Sequence, residues 1–254
     1  MIEVLVLGSG TSMGVPTMTC ACAVCRSPDP RNRRMRSSAL LTTPDGYRVL
    51  IDCSTDFREQ SLRFGIDDVD ALLLTHAHAD HIGGLDELRV FCIAGDKPIP
   101  IYASPCVVGE LRRRLDYVFD PPNTGSTVPR FDLRAVEGTF RCGPLEITCV
   151  PVKHGPTDVY GFRVGDFAYI TDASFIPEES FGLLAGCRVM ILNALRRRPH
   201  PTHFSLAQAV EAARRIGPEQ VFFTHICHDL DHESTNAQLD RGMALSYDGL
   251  TFMA

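Results

Sequence analysis

No apolar run in this chain approaches the roughly 20 residues needed to cross a bilayer, which excludes a membrane-spanning helix. The leading segment Met1-Ile2-Glu3-Val4-Leu5-Val6-Leu7-Gly8 has neither a basic stretch nor a small-residue cleavage site. It therefore predicts a first strand instead of a signal peptide, and a cytoplasmic protein. Positive charge is also short: 25 Lys and Arg stand against 31 Asp and Glu, a formal net charge of −6. That balance excludes a broad electrostatic grip on long nucleic acid, but not a phosphate held locally. Internal repeats, low-complexity tracts and charge-rich linkers are absent, so one domain over residues 1–254 is expected.

Cysteine is not scarce. Of the ten, three crowd into Cys20-Ala21-Cys22-Ala23-Val24-Cys25. In a long chain expected to sit in a reducing compartment, clustered thiols favour metal over disulfides. The C-X-C-X2-C spacing supplies three thiolates, one short of a closed tetrahedral zinc site. His228, three residues after His225, is the best fourth donor, and Cys227 is its competitor. A Cys-rich zinc-binding loop is thus placed at about residues 18–28.

A second cluster says more. Thr75 to Gly84 reads T-H-A-H-A-D-H-I-G-G and puts His76, His78, Asp80 and His81 into six residues. Imidazoles and a carboxylate packed that closely are ordinary ligands for zinc, manganese or iron. The run Ala71-Leu72-Leu73-Leu74 ahead of them reads as a buried strand whose end delivers the cluster to a cleft. Three further candidates each follow a predicted strand: His154 in Lys153-His154-Gly155-Pro156, Asp172 in Thr171-Asp172-Ala173, and His225 in Thr224-His225-Ile226.

Strands are expected over Ile2–Leu7, Ala39–Thr42, Tyr47–Ile51, Ala71–Leu74, Ile99–Ala103, Phe131–Val136, Leu145–Val150, Tyr160–Val164, Phe167–Ile170, Val189–Leu192 and Val221–Thr224. Helices are expected over Asp56–Phe64, His81 to about Phe91, Pro105–Leu115, Pro177–Leu184 and Ser205–Ile216. The last has a serine cap and the apolar spacing Leu206, Ala209, Val210, Ala213. Asp120-Pro121-Pro122-Asn123-Thr124-Gly125-Ser126 reads as a loop. Two series of mostly antiparallel strands, each followed by helices, predict an α/β fold of two packed sheets with helices on the outer faces.

His76-X-His78-X-Asp80-His81, then His154, Asp172 and His225 in that order, resembles the metallo-β-lactamase-fold hydrolases, an αββα sandwich, across nearly the whole chain. The resemblance implies two divalent metals, manganese or zinc with iron as a further option. His76, His78 and His154 would hold one; Asp80, His81 and His225 the other; Asp172 would be shared. It also implies a water shared between the metals as the attacking hydroxide. With the segment Gly8-Ser9-Gly10-Thr11-Ser12-Met13-Gly14-Val15-Pro16, the cysteine cluster, and His225 with His228, the chain further resembles the PhnP-like cyclic phosphodiesterases. That implies a small, cyclic phosphodiester as substrate, one structural zinc on Cys20, Cys22, Cys25 and His228, and a further histidine that contacts the phosphate and donates a proton. In Arg198-Pro199-His200-Pro201-Thr202-His203-Phe204-Ser205, His203 matches that position better than His200.

The basic runs Arg196-Arg197-Arg198 and Arg31-Asn32-Arg33-Arg34-Met35-Arg36 read equally as the lining of a phosphate-accepting mouth or as a solvated charged face. Two rivals share the fold: an RNA-processing nuclease resembling tRNase Z, against which stands the lack of a protruding basic arm, and the cofactor-biosynthesis protein PqqB. The implied partners are the small phosphodiester and a second copy of the chain in a homodimer, with no membrane and no long nucleic acid.

Overall fold

A computed structural model describes residues 1–120 and 127–254; residues 121–126 of the expected Asp120–Ser126 loop lie outside the described residues. Among the described residues, fourteen strands form two seven-stranded sheets. The first comprises β1 (Glu3–Gly8), β2 (Ser38–Thr42), β3 (Arg48–Ile51), β4 (Ala71–Leu73), β5 (Ile99–Ala103), β6 (Phe131–Ala135) and β14 (Thr251–Met253), in the order β14-β1-β2-β3-β4-β5-β6. The second comprises β7 (Thr139–Cys142), β8 (Leu145–His154), β9 (Thr157–Val164), β10 (Phe167–Ile170), β11 (Val189–Asn193), β12 (Gln220–Thr224) and β13 (Met243–Leu245), in the order β13-β12-β11-β10-β9-β8-β7. The helices are α1 (Phe57–Phe64), α2 (Ala79–Ile82), α3 (Arg89–Ala94), α4 (Pro105–Arg114), α5 (Asp116–Phe119), α6 (Glu178–Leu184), α7 (Leu206–Ile216) and α8 (His232–Asn236).

Strand periodicity builds the layers. Along β1, Val4 and Val6 face the other sheet, whereas Leu7 faces the helices; along β10, Phe167 and Tyr169 point between the sheets while Ala168 and Ile170 point outward. The inner faces share one core containing Leu41, Ile51, Leu73, Phe162 and Ile191. Outside it, α1, α3 and α4 cover the first sheet and α6 and α7 the second. This is the αββα sandwich of the metallo-β-lactamase fold.

The expectation of mostly antiparallel strands needs correction. In each sheet three pairings are antiparallel and three parallel, the parallel ones being β3-β4, β4-β5, β5-β6 and β10-β11, β11-β12, β12-β13. A parallel neighbour requires a crossover, usually helical, and a helix separates the members of every one of those pairs in sequence. Three elements also differ in extent, and of these the strand expected from Tyr160 begins already at Thr157. The strand expected to stop at Val150 continues to His154 through Pro151, which lies past the end of its pairing with β7, where no partner there needs a proline N–H. The helix expected over His81–Phe91 is broken into α2, a 3-10 turn over Leu85–Leu88, and α3. Gly83 and Gly84 end α2 because the chain presses there on its neighbour: a Cβ on Gly84 would lie 2.0 Å from the Ser54 carbonyl oxygen. Helix α7 forms as expected, with Ser205 and Gln208 in a reciprocal capping box.

Candidate metal centre

The donors arrive at the ends of strands. Beyond β4 the chain bends at Thr75 and reaches His78, the extended residue that precedes α2, so that Asp80 and His81 project from one short turn. His154 is the last residue of β8, Asp172 lies two residues past β10, and His225 directly follows β12. His76, His78, His154 and Asp172 bring ligand atoms within 4.8 Å of one another, as do Asp80, His81, Asp172 and His225. Asp172 belongs to both groups. Its Oδ1 lies 3.1 Å from His225 Nδ1 and 3.3 Å from His81 Nε2. Its Oδ2 lies 3.8 Å from His76 Nε2 and 3.9 Å from His154 Nε2.

Electrostatics favour the ligand forms of His76, His154, His225 and Asp172, whereas His81 is held in its charged form. Burial pushes His76 well below the usual histidine range, lowers His154, and brings His225 down to about 4, so each is a neutral imidazole near pH 7. Burial alone would raise Asp172, but His225 and His81 overcome it and hold the carboxyl far below its ordinary value. Burial opposes charge on His81 as well, and Asp172 with Asp52 reverses that, raising it. The fit to metal rests on one further feature. Among the described residues His81 Nε2 is buried without a hydrogen-bond partner, and the Asp80 and Asp172 oxygens stand 3.3 Å away. An orphaned buried nitrogen facing two carboxylates is explained by a cation among them.

Several residues hold these donors in place. Asp52, fully buried at the end of β3, accepts from His81 Nδ1 at 2.7 Å and from the Thr75 N–H at 2.9 Å. His154 Nδ1 donates to the Thr202 carbonyl at 2.7 Å, which turns Nε2 into the cluster. Ser37 Oγ and Thr11 Oγ1 each lie 3.3 Å from a ring nitrogen of His225. Asp52, Asp172 and His225 all adopt the left-handed backbone region, with φ of 58°, 55° and 56°. Non-glycine residues enter it at a cost repaid only where the surroundings over-determine them. Asp52 escapes the sequence reading because a lone acid after a strand is usually a cap, although it obeys the same strand-end rule as the other donors.

A second group forms as the spacing predicts. Cys20, Cys22 and Cys25 place their sulphurs 3.1, 3.6 and 3.4 Å from His228 Nδ1. Cys227 stays outside it, its sulphur accepting the Asp229 N–H at 3.4 Å. The Cys25 N–H donates to Cys22 and brings that thiol down to about 7, whereas burial pushes Cys25 up to about 11. Three thiols cannot ionise together at this range without a cation, which is what a thiolate site for zinc supplies. The buried Arg34 guanidinium fastens this loop to the His228 segment, donating to the carbonyls of Cys227 at 3.0 Å and Leu230 at 2.7 Å.

His203 also reaches the centre. Its Nε2 lies 3.1 Å from Asp172 Oδ2 and its ring stacks on His225 with centroids 4.9 Å apart. His200 stands behind it, 3.2 Å away between Nδ1 atoms. Of the two basic runs, Arg196 and Arg198 line a cleft next to His203, while Arg31 and Arg36 pair with Asp29, Glu233 and Asp56.

Fold and donor set together define a metal-dependent hydrolase. Residues 47–226 match the beta-lactamase superfamily domain, and the chain belongs to that superfamily as a PhnP-like member. A diphosphatase of the PhnP family has a similar crystal structure, with 43% identity and a TM-score of 0.93 over 100% of this chain and 98% of that one. An octanoyltransferase of Porphyromonas gingivalis is 39% identical over 249 residues, 97% of this chain; the chain spans only 50% of that protein. Zn(2+)-bound PqqB of Methylobacterium extorquens shares the fold, at 21% identity and a TM-score of 0.81 over 99% of this chain and 100% of that one. Among the described residues no helix is long and apolar enough to cross a membrane.

Proposed function

We propose that the protein hydrolyses small phosphodiesters, cyclic ones included. Two divalent metals would sit on His76, His78 and His154 and on Asp80, His81 and His225, with Asp172 between them, and a structural zinc on Cys20, Cys22, Cys25 and His228. One observation carries the reading: His203 stands beside the shared Asp172, yet belongs to neither donor group. A histidine free of metal at such a centre is placed to serve the substrate.

Divalent ions bound there supply a water of lowered pKa and positive charge for the oxygens of a phosphoryl group in transfer. The chain does the rest. Asp52 and the Thr202 carbonyl fix the tautomers and directions of His81 and His154. Thr202 Oγ1, 2.9 Å from His203 Nδ1, orients that ring so that Nε2 faces the centre. From there His203 gives its proton to the departing alkoxide, a poor leaving group without one. The PhnP-family diphosphatase supports phosphorus over carbon as the centre attacked.

The test compares His203→Ala with the parent protein, both reloaded with manganese or zinc, on a cyclic nucleotide and on a bis(nitrophenyl) phosphate. General acid catalysis contributes about 10²–10⁴-fold, and nitrophenolate leaves without a proton. The variant should therefore lose far more rate on the cyclic substrate. An equal loss on both removes the proton-donor role and leaves His203 as a phosphate contact. Turnover of an octanoyl thioester with none of either diester would overturn the functional reading.

A further inference from the structure

We propose that Asp248 is a positioning residue of the metal centre: its carboxylate locks the segment Gly8-Ser9-Gly10-Thr11 against the turn that carries His225, and so fixes the direction of that donor. The inference rests on the ligand assignment proposed above for which metal is affected.

Asp248 is buried in the connection that passes from β13 in the second sheet to β14 in the first. One of its oxygens accepts the Ser9 N–H at 2.9 Å and the Ser9 hydroxyl at 2.8 Å, and the other accepts the Met35 N–H at 2.7 Å. All of these donors are neutral. Burial pushes the Asp248 carboxyl up to about 6 against those bonds, so the anion is held at a cost. It belongs to neither donor group of the metal centre. What it ties together explains it.

The stretches it joins converge on His225. The Ser9 carbonyl accepts the Ile226 N–H at 2.9 Å and the Thr11 N–H donates to the Ile226 carbonyl at 3.2 Å, so the residue after His225 is gripped by both of its backbone groups. The Gly10 N–H donates to the Met35 carbonyl at 2.7 Å, and Ser37 Oγ donates to the Gly10 carbonyl at 2.9 Å. Thr11 and Ser37 thereby stand at different ring nitrogens of His225. The glycines permit this approach: a Cβ on Gly8 would lie 1.9 Å from the Arg36 carbonyl oxygen, and one on Gly10 would lie 2.7 Å from that of Arg34. His225 holds its left-handed backbone, φ 56°, inside this frame. Removing the Asp248 carboxylate would leave the Ser9 donors buried and unpaired, and the segment would pull away from Ile226.

Asp248→Asn keeps the size but turns one acceptor into an N–H donor that faces other donors. Hydrogen exchange of the protein as isolated should show the Ile226 amide about tenfold or more faster in the variant, the scale of one lost hydrogen bond. Amides of β5 should exchange as in the parent. In calorimetric titration with manganese, the site containing His225 should weaken by about tenfold or more, while the site containing His76, His78 and His154 keeps its affinity; His225→Ala and His76→Ala identify the two. Ser9→Ala, which removes only the hydroxyl bond, should show both effects in smaller measure and decides the matter if Asp248→Asn does not fold. An Ile226 amide that exchanges as in the parent overturns the proposal whatever the metals do. So does equal acceleration in β5, or equal weakening of both metal sites, since either is a general loosening of the fold. A parent that binds fewer than two manganese ions refutes the ligand assignment separately, and the amide exchange then decides the clamp alone.

Discussion

Asp52 shows how much one buried carboxylate decides. Burial raises its pKa, and the contacts with His81 and Thr75 oppose that rise. Asp52→Asn keeps the shape but removes the charge that holds the His81 tautomer. Changes of this kind cost about 10–100-fold in metal affinity or activity. Metal titration followed by calorimetry should show the loss at the site containing His81, and unaltered affinity would exclude Asp52 as its positioning residue. His232 governs a different property. It is buried, its Nδ1 has no partner among the described residues, and burial, helped by Arg31 and Arg34, brings its pKa down to about 4. An unfolded chain binds that proton near pH 6.5, so the unfolded state carries more protons between the two values. This contribution to stability is complete above pH 6.5 and is lost as pH falls toward 4, by up to about 3 kcal/mol. Urea midpoints at pH 7 and 4.5 should diverge less in His232→Phe than in the parent; parallel losses would remove His232 as the cause.

At the scale of elements, the turn at Gly83 and Gly84 matters most to the site. It stops α2 after one turn and lets Asp80 and His81 face the centre while the chain passes under Ser54. Gly84→Ala forces a Cβ into that carbonyl, and overpacking of this type costs about 1–3 kcal/mol or more. Thermal melts should show the destabilisation, with weaker metal retention beside it; a variant as stable as the parent would mean the backbone can yield there. The same turn marks a limit of sequence reading. The donors His76, His78, Asp80, His81, His154, Asp172 and His225 were legible because metal-ligating side chains at strand ends are rare enough to stand out. So were Cys20, Cys22, Cys25 and His228. The break inside His81–Phe91 was not, because it depends on Ser54, distant in sequence. Strands β13 and β14, three residues each, carry too little periodicity to be seen, and β7 is nearly as short. Parallel pairing was missed for another reason: strand composition says nothing of direction, whereas the intervening helices did.

Across the whole molecule, each donor group draws on both sheets. His76, His78, Asp80 and His81 come from the first, and His154, Asp172 and His225 from the second. Ions held there would bind the folded state and not the separated sheets, and so would add stability by linkage, about 4 kcal/mol at a thousandfold excess over Kd. Chelation should lower the melting temperature and re-addition of manganese or zinc should restore it. Asp80→Ala and His225→Ala, on opposite sheets, should each blunt that response. A response confined to variants of one sheet would contradict the bridging arrangement.

The turn after β12 presents His225 to the hydrolytic donors and His228 to the thiols, with only Ile226 and Cys227 between them. Neither histidine can be displaced without moving the other. On the proposed ligand assignment the two metal requirements are therefore nutritionally linked: a cell short of zinc loses this hydrolase even when manganese is plentiful.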